Sequence, residues 1–411
     1  MVNQMKILAI NCGSSTLKFH LFAVGGRATR CEGEQRLAHG VVDGISDRGA
    51  IDFAIEGSQH IHEEVEVSDH GDAIGKVLGW LKAQRFLESD GIEAVGHRVV
   101  HGGYRFVEPT LIDDEVMDAI ESVSILAPLH NEPSLRAIKA ARDTLGAGIP
   151  MVAVFDTSFH HTMPERAWRY AIPPQLSQKH HIRRYGFHGL AHRYMVERYA
   201  AVTATTLSQA NLVTLQLGNG CSAAAVEGGC SMDTSMGLTP LEGLMMGTRC
   251  GDIDPSVAGY LSRVEGVDVP EVEHWLNTQS GLLGVSGRSR DMRELLEAER
   301  EGDMRAGLAI DMFCYRVRKY IGAYLAALGG ADAVLFGGGI GENAPSIRAR
   351  ICDGMEWCGL VLDQGRNNMA AGIEKRISTD GAKVQAYVIP VDESVIIARD
   401  TVSCLRQHRY K

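Results

Sequence analysis

The sequence predicts an α/β protein of two or three domains. Short apolar runs ending in glycine-rich turns alternate with longer stretches of helical periodicity. A strand–turn–strand unit at the N-terminus recurs near the middle of the chain. The length, 411 residues, exceeds what one hydrophobic core usually organises.

The elements follow in order. Met5 to Ile10 is an apolar strand, Asn11 to Ser15 a Gly/Ser turn, and Thr16 to Phe22 a second strand with Leu17, Phe19 and Leu21 alternating against Lys18 and His20. Residues 24–59 are rich in glycine and charge and read as surface hairpins and loops. Ile92 to Val95 is strand-like and runs into Gly96-His97-Arg98, with a glycine pair at Gly102-Gly103. Asp113 to Val123 opens on acidic residues, as a helix N-terminus prefers. Glu132 to Leu145 sets Leu135, Ile138 and Leu145 on one helical face, and Gly146 ends it. Val152 to Phe155 is a strand ending in Asp156.

Leu212 to Leu217, the turn Gly218-Asn219-Gly220-Cys221-Ser222 and Ala223 to Val226 repeat the opening hairpin. An internal duplication explains this, although two unrelated Asn-Gly turns would look the same. Arg305 to Leu328 is the longest helical stretch, with Leu308, Met312, Tyr315 and Ile321 as its expected buried stripe. Ala333 to Phe336 is a strand, and a helix is expected from near Pro345.

Composition narrows the function. Hydrophobic residues make up 45% and charged residues 22%, ordinary globular usage. A net charge of -10 disfavours a broad nucleic-acid face, though a local cationic pocket for phosphorylated metabolites is compatible with it. Nine cysteines without a CxxC pair argue against a disulfide framework or a cysteine zinc site. No run approaches the roughly 18 apolar residues of a membrane span. A cytoplasmic location is expected.

Several segments could carry chemistry. The Asn11–Lys18 turn offers backbone N–H groups, hydroxyls and an ammonium to phosphate oxygens, although most Gly/Ser turns are only turns. Gly218-Asn219-Gly220 is a second such turn. Gly337 to Asn343 is a third, between strand and helix, and it is neither a Walker A loop nor a dinucleotide fingerprint. Together they point to a nucleotide site. Arg98 and Arg249 sit in glycine-flanked segments and suit carboxylate or phosphate oxygens; a lone arginine is otherwise a surface ion pair. Asp156, at a strand's carboxyl end, could hold a metal, orient a nucleophile, or cap a helix. His188 lies in Gly186-Phe187-His188-Gly189, and a lone histidine is more often structural. His60, His62, His160, His161, His180 and His181 lack the spacing of a helical metal motif.

Taken together, INCGSSTLKF, GHRVVHGG, LAPLHN, VFDTSFH, YGFHG, LGNG, DTSMGLTPLEGLMMGTRCGDIDP, GGGIGEN and DESVIIARD resemble the acetate kinase family, within the actin/hexokinase-like superfamily. The likeness runs nearly end to end. It implies two duplicated actin/ribonuclease H-like α/β domains, residues 1–158 plus 391–411 and 159–390, with an active-site cleft between them and a homodimer built through the second. It implies reversible transfer of the ATP γ-phosphoryl to acetate, with Mg²⁺ or Mn²⁺ as cation. By the same resemblance, Asn11 and Glu393 serve the metal and Lys18 the nucleotide phosphates. Arg98 holds the substrate carboxylate, Asp156 is the essential acid, and His188 and Arg249 stabilise the transition state. Gln216, Leu217, Gly218, Asn219, Gly220, Asp291, Met292, Arg293, Gly339, Ile340, Gly341, Glu342 and Asn343 line the nucleotide. Val100, Leu129, Phe187 and Pro240 receive the methyl group.

The roles suit phosphoryl transfer, which needs positioning and charge neutralisation more than covalent chemistry. One methylene is worth only about 1–3 kcal/mol in such a pocket, so propionate is the alternative acceptor. An actin-like nucleotide-gated protein is the alternative outside the enzymes. The chain departs from the family at Gln216, where a histidine is usual, at Leu190-Ala191, and at Met292.

Overall fold

The computed structural model describes residues 4–25, 33–58, 60–88, 91–124, 128–146 and 148–409. The chain divides into two compact units, Met1–Ser158 with Asp392–Lys411, and Phe159–Val391.

The first unit is built on an eight-stranded sheet, order β5-β4-β3-β2-β1-β6-β8-β7. Its strands are β1 (Met5–Cys12), β2 (Thr16–Val24), β3 (Glu34–Asp43), β4 (Arg48–Ile55), β5 (His60–Glu66), β6 (Ala94–Val99), β7 (Thr110–Leu111) and β8 (Met151–Phe155). β1 to β5 form an antiparallel meander, and β6 and β8 extend it in parallel from β1. The segment expected to be surface hairpins and loops is therefore largely sheet. Its alternation was diluted by glycine and charge, yet Val42 and Phe53 are buried in the core. Phe19 and Phe53 meet edge to face at 5.2 Å, and Trp80, on the helix His70–Ala83, packs over both. Burial of each phenylalanine contributes about 1.5–3 kcal/mol.

Two boundaries differ from expectation. β6 runs on through Arg98, which is thus a strand residue rather than part of a loop. The helix expected from Glu132 begins at Pro128, a first helical position whose N–H would have no partner, and also contains Pro133 in its interior, where one i→i−4 hydrogen bond is forgone.

The C-terminal helix, Glu393–Arg409, packs on β1 and β6. Gly96 permits this approach, since a Cβ there would lie 2.2 Å from Thr401 Oγ1 and 2.7 Å from Ile397 Cγ2. The first turn of that helix is thereby seated at the end of the sheet.

The second unit has a six-stranded sheet, order β11-β10-β9-β12-β14-β13. Its strands are β9 (Asn211–Leu217), β10 (Cys221–Glu227), β11 (Cys230–Thr234), β12 (Ala333–Gly337), β13 (Lys375–Arg376) and β14 (Gln385–Val388). β11, β10 and β9 run antiparallel, and β12 and β14 follow β9 in parallel. The order and sense of β3-β2-β1-β6-β8 are repeated, so the duplicated hairpin belongs to a duplicated fold.

The helix Met304–Leu328 corrects the expected stripe. Ala306, Ile310, Phe313, Val317, Ile321 and Tyr324 are buried, whereas Leu308 and Tyr315 are more than half exposed. Leu308 and Tyr315 share a face of their own, which this unit does not cover. The glycine segment after β12 is not an open loop: Gly338–Asn343 forms a short helix before Pro345–Cys352. Gly338 makes that possible with φ +76°, where a Cβ would meet the Leu217 backbone at 2.6 Å.

Candidate active site

In the first unit, functional groups gather at the carboxyl ends of parallel strands, where open α/β sheets place their ligands. Register explains the gathering. Ile10 pairs with His97 and Val99 with Phe155, so Asn11, Arg98 and Asp156 emerge at one edge. The C-terminal helix brings Glu393 to them.

Arg98 Nη2 donates to Asp156 Oδ2 at 2.7 Å, and Nη1 donates to Asn11 Oδ1 at 3.0 Å. Asn11 Nδ2 donates to Glu393 Oε2 at 2.7 Å, and Arg98 Nε lies 3.7 Å from that same oxygen. Asp156 is fully buried. Burial works against the Arg98 charge, but Asp156 and Glu393 outweigh it and hold the guanidinium protonated beyond its usual range. Glu393 is pushed up by burial, with Arg98 opposing and Asp156 adding to the rise. Lys18 stands opposite Asn11 in the β1–β2 register, is exposed, and adds positive field at Glu393. His97, beside Arg98, is buried and pushed down to about 3 by desolvation alone.

Asn11, Lys18, Arg98, Asp156 and Glu393 are thus brought together. Val100 is buried, and Leu129 lies in the first turn of the helix that begins at Pro128, with its side chain outside the described residues.

In the second unit, His188 sits immediately before the helix Gly189–Thr203 in a left-handed conformation, φ 57°. That backbone costs a non-glycine residue about 1–3 kcal/mol and marks functional positions. A Cβ placed on Gly220 would lie 3.4 Å from His188 Nε2 and 3.8 Å from Arg249 Nη1. Absence of a side chain at Gly220 therefore leaves room for both. Arg249 Nη1 donates to the Pro240 carbonyl at 2.9 Å. Burial pulls the Arg249 guanidinium below its ordinary range, with no carboxylate compensating among the described residues. Such a cation gains from an arriving anion. Phe187 is buried beside His188.

The same unit holds a cavity of about 720 Å³. Gly218, Asn219, Asp291, Met292, Arg293, Gly339, Ile340 and Asn343 line it. Leu217 and Gly341 are buried behind the lining, and Glu342 Oε1 instead accepts from Gly338 N at 2.8 Å and Val391 N at 3.0 Å. Gln216 is half-buried on β9, and no hydrogen-bond partner meets its Oε1 among the described residues. Arg290, Leu296 and Ser346 also line the cavity and escaped sequence reasoning. The glycine-rich turns and the Asp291–Arg293 stretch flagged the region; Arg290 lies in a bend just before that stretch, and Leu296 and Ser346 lie on helices, none of them in a motif.

The family profile described as the acetokinase family matches residues 6–399. The chain belongs to the acetokinase family. It is 49% identical over 407 residues to an acetate kinase of Solibacter usitatus, covering 98% of each chain. It is 47% identical over 413 residues to one of Chloroherpeton thalassium, covering 98% of this chain and 99% of that one. Among solved structures it resembles Porphyromonas gingivalis acetate kinase at TM-score 0.87 and 40% identity, covering 98% and 100% of the two chains. A propionate kinase from Francisella tularensis gives TM-score 0.88 and 39% identity, covering 96% and 98%. Among the described residues of this acetokinase, no group of three or more His, Cys, Asp or Glu side chains is arranged so that it could hold a metal ion, and no helix is long and apolar enough to cross a membrane.

Proposed function

We propose that the protein is an acetate kinase, transferring the γ-phosphoryl group of ATP to acetate and back. The observation that carries this reading is the largely enclosed Arg98 guanidinium, braced by Asp156 and Asn11, in a chain whose full-length relatives are acetate kinases. Arg98 takes the ionised carboxylate of acetate by charge-assisted hydrogen bonds. A carboxylate oxygen forms the new bond to γ-phosphorus as the bond to the β-γ bridging oxygen breaks. Acetate, already ionised, has no proton to give up. Asp156 therefore needs no base role; it orients Arg98. Arg249 and His188 offset the charge spread over the equatorial oxygens. The cavity beside Gly218 and Gly339 takes the nucleotide.

A Mg²⁺ ion fits the chemistry of the first unit. Glu393 is a hard oxygen donor raised by burial and by Asp156, so a cation relieves it. Asn11 has both polar ends engaged and serves by orienting Glu393. Such an ion, when bound, would neutralise phosphate charge. The same proposal includes a homodimer through the second unit, which exposes Tyr260, Val264, Leu308 and Tyr315. It also includes a cytoplasmic location, in keeping with free thiols at all the described cysteines.

A hydroxamate assay across acids and phosphoryl donors, with and without chelator, tests this reading. Acyl phosphate from acetate, ATP and Mg²⁺ is expected. Its absence, alongside tight ATP binding, would sink the proposal. Likeness to a propionate kinase favours one second reading, decided by the ratio of kcat/KM for propionate over acetate.

A further inference from the structure

Behind His188 lies a chain of side chains to which no role has been assigned. His188 Nδ1 is 2.8 Å from Ser222 Oγ, Ser222 Oγ is 2.8 Å from His192 Nε2, and His192 Nδ1 is 2.7 Å from Thr214 Oγ1. Thr214 Oγ1 donates in turn to the Ala224 carbonyl, at a long 3.5 Å. Ser222, His192 and Thr214 are fully buried.

The direction of the chain follows from what each group can do. A carbonyl oxygen only accepts, so the Thr214 hydroxyl spends its hydrogen there and accepts from His192 Nδ1–H. His192 is desolvated and faces the rings of His160 and His188 rather than a carboxylate, so it stays neutral. Its Nε2 is then an acceptor, and Ser222 donates to it. The Ser222 oxygen is left to accept from His188 Nδ1–H. The neutral ring accordingly carries its lone pair on Nε2, the atom that shares the space over Gly220 with Arg249 Nη1. A lone pair there suits the guanidinium better than a second N–H would. Cys221 is pushed up to about 12 by burial, and His160 has Nδ1 2.8 Å from Ser231 Oγ and Nε2 3.0 Å from the Phe187 carbonyl.

We propose that Ser222, His192 and Thr214 are positioning residues that hold the His188 proton on Nδ1, so that Nε2 meets a phosphoryl oxygen as a donor only by taking a second proton from solvent. The ring then arrives as a cation, and the proton returns to solvent when the phosphoryl group leaves. This rests on the phosphoryl-transfer reading above for its consequence, though not for its wiring.

The test uses the full chain with ¹⁵N-labelled histidine. His188 signals are identified by their loss in His188→Gln, and spectra are taken at alkaline pH, where the ring is neutral. A proton on Nδ1 is expected. Thr214→Val, isosteric but without the hydroxyl, should erase that preference and lower kcat about 10-fold, the lower range for outer partners of a functional histidine. The KM values for ATP and acetate should stay within about twofold, and Thr214→Ser should restore kcat. In a His188→Gln background, Thr214→Val should cost nothing further. A neutral His188 protonated on Nε2, or an equal loss in both backgrounds, would overturn the proposal. If the wild type makes no acyl phosphate, the functional reading fails while the spectrum still decides the wiring.

Discussion

Arg98→Lys separates charge from geometry at the proposed acetate site. The lysine keeps the cation that Asp156 and Glu393 require, so no buried carboxylate is stranded. What it loses is reach. Arg98 spans two acceptors, Asn11 Oδ1 at 3.0 Å and Asp156 Oδ2 at 2.7 Å, from separate nitrogens on one rigid plane. An ammonium is a single point on a flexible stem and cannot keep both while facing a substrate. At least one charge-assisted bond is lost, about 1.5–3 kcal/mol. At about 1.4 kcal/mol per factor of ten, kcat/KM for acetate should fall about 10- to 100-fold. KM for ATP should hardly move, because the cavity proposed to take the nucleotide is built by the other unit. Arg98→Ala should cost more than Arg98→Lys, because it removes both donors and leaves Asp156 buried without its counter-cation. The assay is initial-rate kinetics with both substrates varied, with far-UV circular dichroism as the control for folding. A lysine variant within threefold of wild type would show that Arg98 is a charge only, and the two-acceptor argument would be wrong.

Three further outcomes are expected. Gln216→His should change kcat with ATP more than KM for acetate, because the Gln216 oxygen meets no donor among the described residues; equal effects on both would reject its placement near the nucleotide. Gly338→Ala should lower the melting temperature by imposing a left-handed residue, about 1–2 kcal/mol before any clash, while Gly339→Ala, with nothing within 4 Å, should leave stability unchanged and raise KM for ATP; matched melting temperatures would contradict the short helix. Stability should fall on acidification. His97, about 3 in the fold against about 6.5 unfolded, binds fewer protons when native, so its contribution is lost as pH drops below 6.5, about 1 kcal/mol by pH 5.5. Urea midpoints at pH 7.5 and 5.5, with His97→Gln as the flattened reference, measure this, and parallel pH slopes would count against it.

The amino-acid sequence alone determined the features that depend on neighbours along the chain. Apolar runs marked β1, β2, β9, β10 and β12, and Asp156 was legible as a strand-end acid because the strand before it is purely apolar. Ordered motifs placed the chain in its family. Tertiary structure decided whatever depends on which side of an element is covered. Helical periodicity in Met304–Leu328 was correct, but its phase was set by packing, which buried Phe313 and left Tyr315 exposed. β3 and β4 were obscured because their charges face outward while Val42 and Phe53 fill the core. The left-handed His188 and the Ser222–His192–Thr214 chain behind it join residues from β9, β10 and a helix. No local pattern encodes such a path, because hydrogen bonds across strands depend on register, and register is a property of the folded sheet.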